Sequence, residues 1–347
     1  MEYPDAKSDN RWRLLRSWAP WLFTALMVWF FVAQVDLADV RPLLENFSWP
    51  WFLAGLGCYV ATNLLRAWRT WLFLGQDRNE LPLLLPVSFV VSLANNGLPA
   101  RMGEVAYVYF VNRLLRTGMG STTAGLIAVR IFDYLTVASL FLAAWAAAAG
   151  TLTLAGQQVA LLTVPILLAG LALLAALPWI GDRMLAIGLR LLTWVRLGRL
   201  VDRVGREGLR AVETLRLLRA PRLYLRMVGT SLGIWVFTYL WFLCFLIACN
   251  FPTTYGLVVF GATFAVLTKA IPLASIGGFG THEAGWTMGF ILVGFQLPAA
   301  ILSGFAVNIL TLAASALFGF PALLLLAWLE RRRARAEAAV SPDSPNG

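Results

Sequence analysis

The chain is poor in the residues that metal and redox chemistry draw on. One histidine, His282, stands in 347 residues, which excludes a multi-histidine zinc or haem site. The three cysteines, Cys58, Cys244 and Cys249, all lie inside apolar runs. An odd set with no CxxC spacing offers neither a disulfide framework nor a metal-ligating pair. Charge is scarce too. Only 13% of residues are charged, against about 25% in a soluble domain, and no polar stretch is long enough to build one. No cofactor, no metal and no catalytic residue is therefore expected.

Apolar residues fill the space. They make up 59% of the chain, with mean hydropathy +0.73, in runs of about 20 residues or more, the length that crosses a bilayer core as a helix. Fifteen tryptophans suit interfacial belts, as at Trp12, Trp18, Trp21, Trp49 and Trp51. The net charge of +10 does not imply nucleic acid, because the arginines flank apolar segments and fill one loop. Attraction to anionic headgroups explains that placement. Arg11, Arg13 and Arg16 precede an apolar run at 18–33. This imitates a signal peptide but lacks a small-residue cleavage site, so it reads as an uncleaved first helix.

Full spans are expected near 18–35, 49–74, 121–149, 157–179, 226–249 and 299–329. Basic residues mark cytoplasmic loops. Residues 1–17 are basic, eleven arginines lie between 183 and 226, and the tail opens with Arg331, Arg332 and Arg333. The loop 36–48 has one arginine against three acids, and 150–157 and 250–255 have no basic residue. Both termini are thus expected in the cytoplasm of a multi-pass inner-membrane protein.

Two apolar regions, 82–115 and 256–296, break at Pro and Gly and are too short for two spans each. Both read as re-entrant hairpins, the first opening to the cytoplasm and the second to the outside. Irregular backbone at that depth needs protein or a water-filled cavity around it. The fold class is thus an all-α polytopic membrane protein, about six full spans plus two re-entrant hairpins in an inverted-topology repeat. Such repeats place a site where their broken helices meet. The expected units are a basic N-terminus (1–17), a first transmembrane half (18–179), an Arg-rich amphipathic segment on the cytoplasmic surface (180–225), a second half (226–330) and a cytoplasmic tail (331–347).

Charges inside a membrane mark function by default. Here they are Arg101, Glu104, Arg130, Asp133, Lys269, His282 and Glu283. Arg101 and Glu104 share a helical face at a Pro/Gly break, and Arg130 and Asp133 repeat that spacing inside a span. Ion pairs that only pin helices together are the alternative. Gly277, Gly278 and Gly280 precede a helix whose N-terminus and free N–H groups can face an anion; a tight packing turn is the alternative. Lys269 adds a positive charge beside it. Asn95 and Asn96, with Asn63 and Asn308, can add polar contacts. Pro99, Gly103 and Pro272 shape the breaks.

The segments Asn-Asn-Gly-Leu-Pro-Ala-Arg-Met-Gly-Glu (95–104), Arg130-Ile-Phe-Asp133, and Pro272 followed by Gly-Gly-Phe-Gly-Thr-His-Glu (277–283) resemble the signatures of the lysylphosphatidylglycerol synthase transmembrane-region family. The resemblance covers roughly 15–330. It implies a flippase-like domain that moves aminoacylated phosphatidylglycerol between leaflets, with relatives in polyprenyl-phosphate sugar and hopanoid pathways. Family members often carry Glu directly before the arginine of the middle motif. Val129 stands there instead, which counts against a role that needs that carboxylate. No soluble aminoacyltransferase domain is seen, so transfer of lysine by this chain alone is not expected.

The leading expectation is a translocase for an anionic phospholipid or lipid-linked phosphate. Its partners would be membrane lipids, anionic or polyprenyl-phosphate-linked, and not nucleic acid. The alternative is an integral membrane transferase, or a non-transporting partner of a lipid-modifying or glycosylation enzyme.

Overall fold

A computed structural model of the chain describes residues 45–74, 80–99, 102–115, 118–148, 219–270 and 276–340, with scattered positions between 25 and 43 and between 150 and 217. The described residues are helices and short connections, with no strand among them. The longer helices are α1 (Trp49–Leu74), α2 (Leu81–Gly97), α3 (Met102–Leu115), α4 (Met119–Ala148), α5 (Pro221–Ala248), α6 (Tyr255–Ala270), α7 (Thr281–Val293) and α8 (Leu297–Val340). The described positions between 154 and 190 are also helical. Most of the expected first span, most of the Arg-rich segment, Arg101 and Pro272 lie outside the described residues.

Proline and glycine set the helix ends. Pro221 opens α5 and Pro82 opens α2, where a missing N–H costs nothing. Leu98 precedes Pro99 and is extended (φ −98°, ψ 150°), because the proline ring disfavours helix in the residue before it. That ends α2. Between α6 and α7 the chain turns through Gly277, Gly278 and Gly280, at φ 65°, 70° and 88°. A Cβ would be strained in that region.

Among the described residues, three helices are both long and apolar enough to cross a membrane: within α4 (Ser121–Ala147), α5 (Pro221–Ala248) and α8 (Leu297–Arg332). α1 has 26 residues and ample length, but carries Arg66 and Arg69. The remaining four have 17, 14, 16 and 13 residues. At about 1.5 Å per residue each is shorter than a bilayer core of about 30 Å.

α1 packs along α5. α2 lies on α3, as α6 lies on α7. α2 also packs against α8, and α6 against α4. The α6–α7 contact is backbone to backbone: a Cβ on Gly289 would collide with the Gly261 carbonyl. Small residues allow such approach where lipid gives no hydrophobic drive to association. The core is aromatic. Trp286 stacks on Phe290 with ring centroids 4.5 Å apart, and Phe242 meets Trp286 edge-on at 5.6 Å. The outward faces are apolar as well, as at Leu317, Phe320 and Leu324 on α8, a surface that suits lipid rather than water.

Contacts also sort the connections onto two faces. On one, the Ser48 N–H donates to the Ala248 carbonyl (2.9 Å) and the Asn250 amide to Asn46 (2.8 Å). Phe251 meets Phe295 at 6.5 Å. Thr153 donates to the Leu292 carbonyl through its N–H (3.3 Å) and its hydroxyl (3.0 Å). On the other, Arg113 near the end of α3 pairs with Glu330 on α8 at 3.0 Å.

Candidate functional site

A cavity of about 250 Å³ lies between the two breaks. Asn95, Asn96, Leu98 and Glu104 line it from the first, and Lys269, Gly278 and Thr281 from the second. α2 also touches the Ile276–Gly278 turn directly. Arg66 and Arg69 come from α1, Arg130 and Asp133 from α4, and Trp235 and Trp241 from α5.

One wall is a chain of ion pairs. Arg69 Nη1 lies 2.6 Å from Asp133 Oδ1 and donates to Ser231 Oγ at 2.8 Å, and Nη2 reaches Asp133 Oδ2 at 3.3 Å. The Trp235 indole N–H donates to the same Asp133 Oδ1 at 3.1 Å. Arg130 bridges onward, 3.8 Å from Asp133 Oδ2 and 2.8 Å from Glu104 Oε1. Four helices thus meet in one network, and each buried charge has an opposite neighbour, the condition under which low dielectric tolerates them. The expected partnerships are redistributed. Asp133 is held chiefly by Arg69 rather than by Arg130 three residues away, and Arg130 ties Glu104 to α4.

The second wall is neutral apart from Arg66, which donates to Ser92 Oγ at 3.0 Å. Ser92 donates to Asn63 Oδ1 at 2.6 Å, and Asn63 to the Tyr59 carbonyl at 2.9 Å. Asn96 donates to Ser315 Oγ at 2.8 Å, and the Tyr59 hydroxyl reaches the same oxygen at 3.3 Å. Asn95 Oδ1, Trp241 Nε1 and the Thr311 hydroxyl are buried with no hydrogen-bond partner among the described residues.

The glycine turn supplies its own anion. Glu283 Oε2 accepts the Gly280 N–H at 2.6 Å, the reciprocal half of a capping box. Asn308 donates to Glu283 Oε1 at 3.0 Å and to the Gly277 carbonyl at 3.1 Å. Lys269 lies against Gly278: a Cβ there would stand 3.0 Å from its Cε and 3.3 Å from its Nζ. Seven of the expected residues therefore line the cavity: Asn95, Asn96, Glu104, Arg130, Asp133, Lys269 and Gly278. Gly277, Gly280 and Glu283 sit behind Lys269. His282 is buried against Trp286, ring centroids 5.3 Å apart, off the cavity wall. Pro99 bends the chain between α2 and α3, where Gly103 packs on Asn95 with no room for a Cβ.

Sequence reasoning missed Arg66 and Arg69 as site residues and read them as flanking charge. Their spacing of three on one helical face was the available signal, and it does not separate a site pair from one that reaches for headgroups. Asn63 and Asn308, expected as accessory polar contacts, hold Ser92 and Glu283.

No curated protein and no solved structure matches the chain. The sequence profile described as the lysylphosphatidylglycerol synthase TM region matches residues 17–319, a stretch that takes in both breaks, the ion-pair wall and the neutral wall. The chain therefore belongs to that family, and is a multi-pass helical membrane protein related to lipid synthesis or translocation.

Proposed function

We propose that the protein is a membrane lipid translocase for an anionic phospholipid or a lipid-linked phosphate. The observation that carries this reading is the shared cavity: Glu104 and Asn95 beside one break face the same space as Lys269 and Gly278 beside the other. A phosphate crossing the bilayer must be desolvated, at a cost far above a few kcal/mol without partners. Arginines and a lysine around the shared space offset that cost. The fifteen residues named from the sequence make up the proposed site, with Arg101 and Pro272 at its two breaks.

In this reading the chain has six full spans and two opposed re-entrant hairpins, α2–α3 and α6–α7, in an inverted-topology repeat with the unit boundaries given above. The packing supports it. If α1 to α4 correspond to α5 to α8, the α2–α8 contact exchanges with the α6–α4 contact, and the α2–α3 contact with the α6–α7 contact. The connections near 46–48, 153, 248–251 and 292–295 share a face and lack arginine, which suits the outer side. Arg113 and Glu330, near three successive arginines, would share the cytoplasmic side of an inner membrane, with both termini. Rocking of one half against the other would then expose the cavity alternately.

The test is lipid movement in proteoliposomes made with purified protein. The parent is expected to move phosphate-bearing lipids across the bilayer, and Lys269→Met to slow this while leaving the fold intact. Absence of any lipid movement by the well-folded parent would favour a transferase or a non-transporting partner.

A further inference from the structure

The four described cations on the cavity wall differ in how their charge is met. Arg69 faces Asp133, and Arg130 faces Glu104 and Asp133. Lys269 has Glu283 within electrostatic reach. Arg66 differs. Its hydrogen-bond partner is the Ser92 hydroxyl, and Asp133, the carboxylate whose charge it feels, is already gripped by Arg69 and Trp235. A guanidinium presents five N–H donors in a planar fork, and one hydroxyl uses little of it. A half-buried charge met by one hydroxyl can still take an anion.

The surface beside Arg66 has a chemistry of its own. Asn95 Oδ1 can accept, Trp241 Nε1 can donate, and the Thr311 hydroxyl can do both; all three are buried without partners among the described residues. All three residues line the cavity that Arg66 lines. Trp241 packs on Tyr59 at 5.1 Å, Tyr59 reaches Ser315, and Ser315 donates to the Thr311 carbonyl at 2.7 Å. Unpartnered neutral donors and acceptors beside a cation match a phosphate that carries hydroxyl groups. They do not match an ammonium, because the carboxylates lining this cavity, Glu104 and Asp133, already face arginines.

We infer that Arg66 is the phosphate anchor of the cavity, and that the neutral wall beside it selects a phosphodiester headgroup bearing hydroxyls and no amine. This rests on the lipid reading above, but it concerns recognition rather than movement, and binding tests it separately. An arginine fork pairs with two phosphate oxygens at once, which lysine cannot do.

The experiment measures binding to the purified full chain in lipid nanodiscs. Its probes are a phospholipid with a glycerol headgroup, one with an ethanolamine headgroup, one with a lysine-esterified glycerol headgroup, and free glycerol phosphate as a soluble competitor. The parent is expected to bind the glycerol-headed lipid best. Arg66→Gln, which removes the charge, should weaken that binding about tenfold or more, the worth of a lost charged hydrogen bond, and should weaken any binding of the ethanolamine lipid as well, because both lipids carry the phosphate. Arg66→Lys should restore part of the loss. Thr311→Val, which leaves every ion pair in place, should lower the preference for the glycerol head severalfold and keeps the test open if Arg66→Gln does not fold. Equal or tighter binding of either amine-bearing lipid by the parent would overturn the inference. So would unchanged binding by Arg66→Gln together with unchanged preference in Thr311→Val, or displacement of the lipid by stoichiometric glycerol phosphate. If the binding order holds but no lipid crosses the bilayer, translocation fails and the anchor stands.

Discussion

Arg69 and Asp133 are 64 residues apart in the chain and 2.6 Å apart in space, and their pair fastens α1 to α4 within the helical core. Both are nearly inaccessible, with side chains 5% and 9% exposed. Removing one charge leaves the other uncompensated in a low dielectric, at a cost of about 3–5 kcal/mol. Arg69→Met is therefore expected to lower the unfolding midpoint sharply in detergent. The double variant Arg69→Met/Asp133→Leu should regain most of that loss. If the single variant melts with the parent, the pair does not hold the helices.

The Glu104–Arg130 contact has a different expected role. It is about 30% exposed on each side, so it contributes less to stability, yet it links α3, just beyond the first break, to α4. The double variant Glu104→Gln/Arg130→Gln keeps the Arg69–Asp133 pair. Expression and melting should stay near the parent's, while lipid transport falls about tenfold or more. Full transport by this variant would reduce the contact to a strut.

Gly289 and Gly57 provide a matched comparison. A side chain on Gly289 meets the Gly261 backbone, whereas a Cβ on Gly57 meets nothing within 4 Å. Gly289→Val should abolish folded protein, measured as monodisperse yield after extraction, and Gly57→Val should not. Overpacking of this kind costs about 1–3 kcal/mol where side chains can yield, and a backbone carbonyl yields less. Equal yields would mean that α6 and α7 are not in contact.

Orientation is open to cysteine labelling in a background with Cys58, Cys244 and Cys249 replaced by alanine. Leu154 and Thr254 are exposed, so Leu154→Cys and Thr254→Cys should react with an impermeant reagent from outside. Gly205→Cys should react only after the inner side is opened. Reaction of position 205 from outside alone would invert the topology.

The breaks were legible in the sequence because their cause is local. A proline disfavours helix in the residue before it, and three glycines at positive φ permit a turn no other residue adopts readily, so Leu98-Pro99 and Gly277–Gly280 announce themselves. The span 49–74 coincides with α1 for a similar reason: Pro50 and the apolar run fix its ends. Arg66 and Arg69 were not legible as site residues. From sequence they stand near the end of a span, where arginines ordinarily reach for headgroups. What turns them inward is Asp133 on α4, Ser231 on α5 and Ser92 on α2, none of them a neighbour in the chain. The glycine turn was read as open to an outside anion. Glu283, named at the same time, takes the Gly280 N–H, a choice made by side-chain reach within one helical turn.

The touching glycines of α6 and α7 bear on how any motion can be shared out. Two rods in contact at their backbones cannot press closer or slide past one another without colliding, so this hairpin is expected to move as one stiff wedge. Slack must be found along its flanks, where α6 meets α4 and α7 meets α8, and where larger side chains separate the backbones. Cross-links placed within the wedge should therefore be silent, whereas a cross-link between α4 and α6 should stop the lipid movement proposed above.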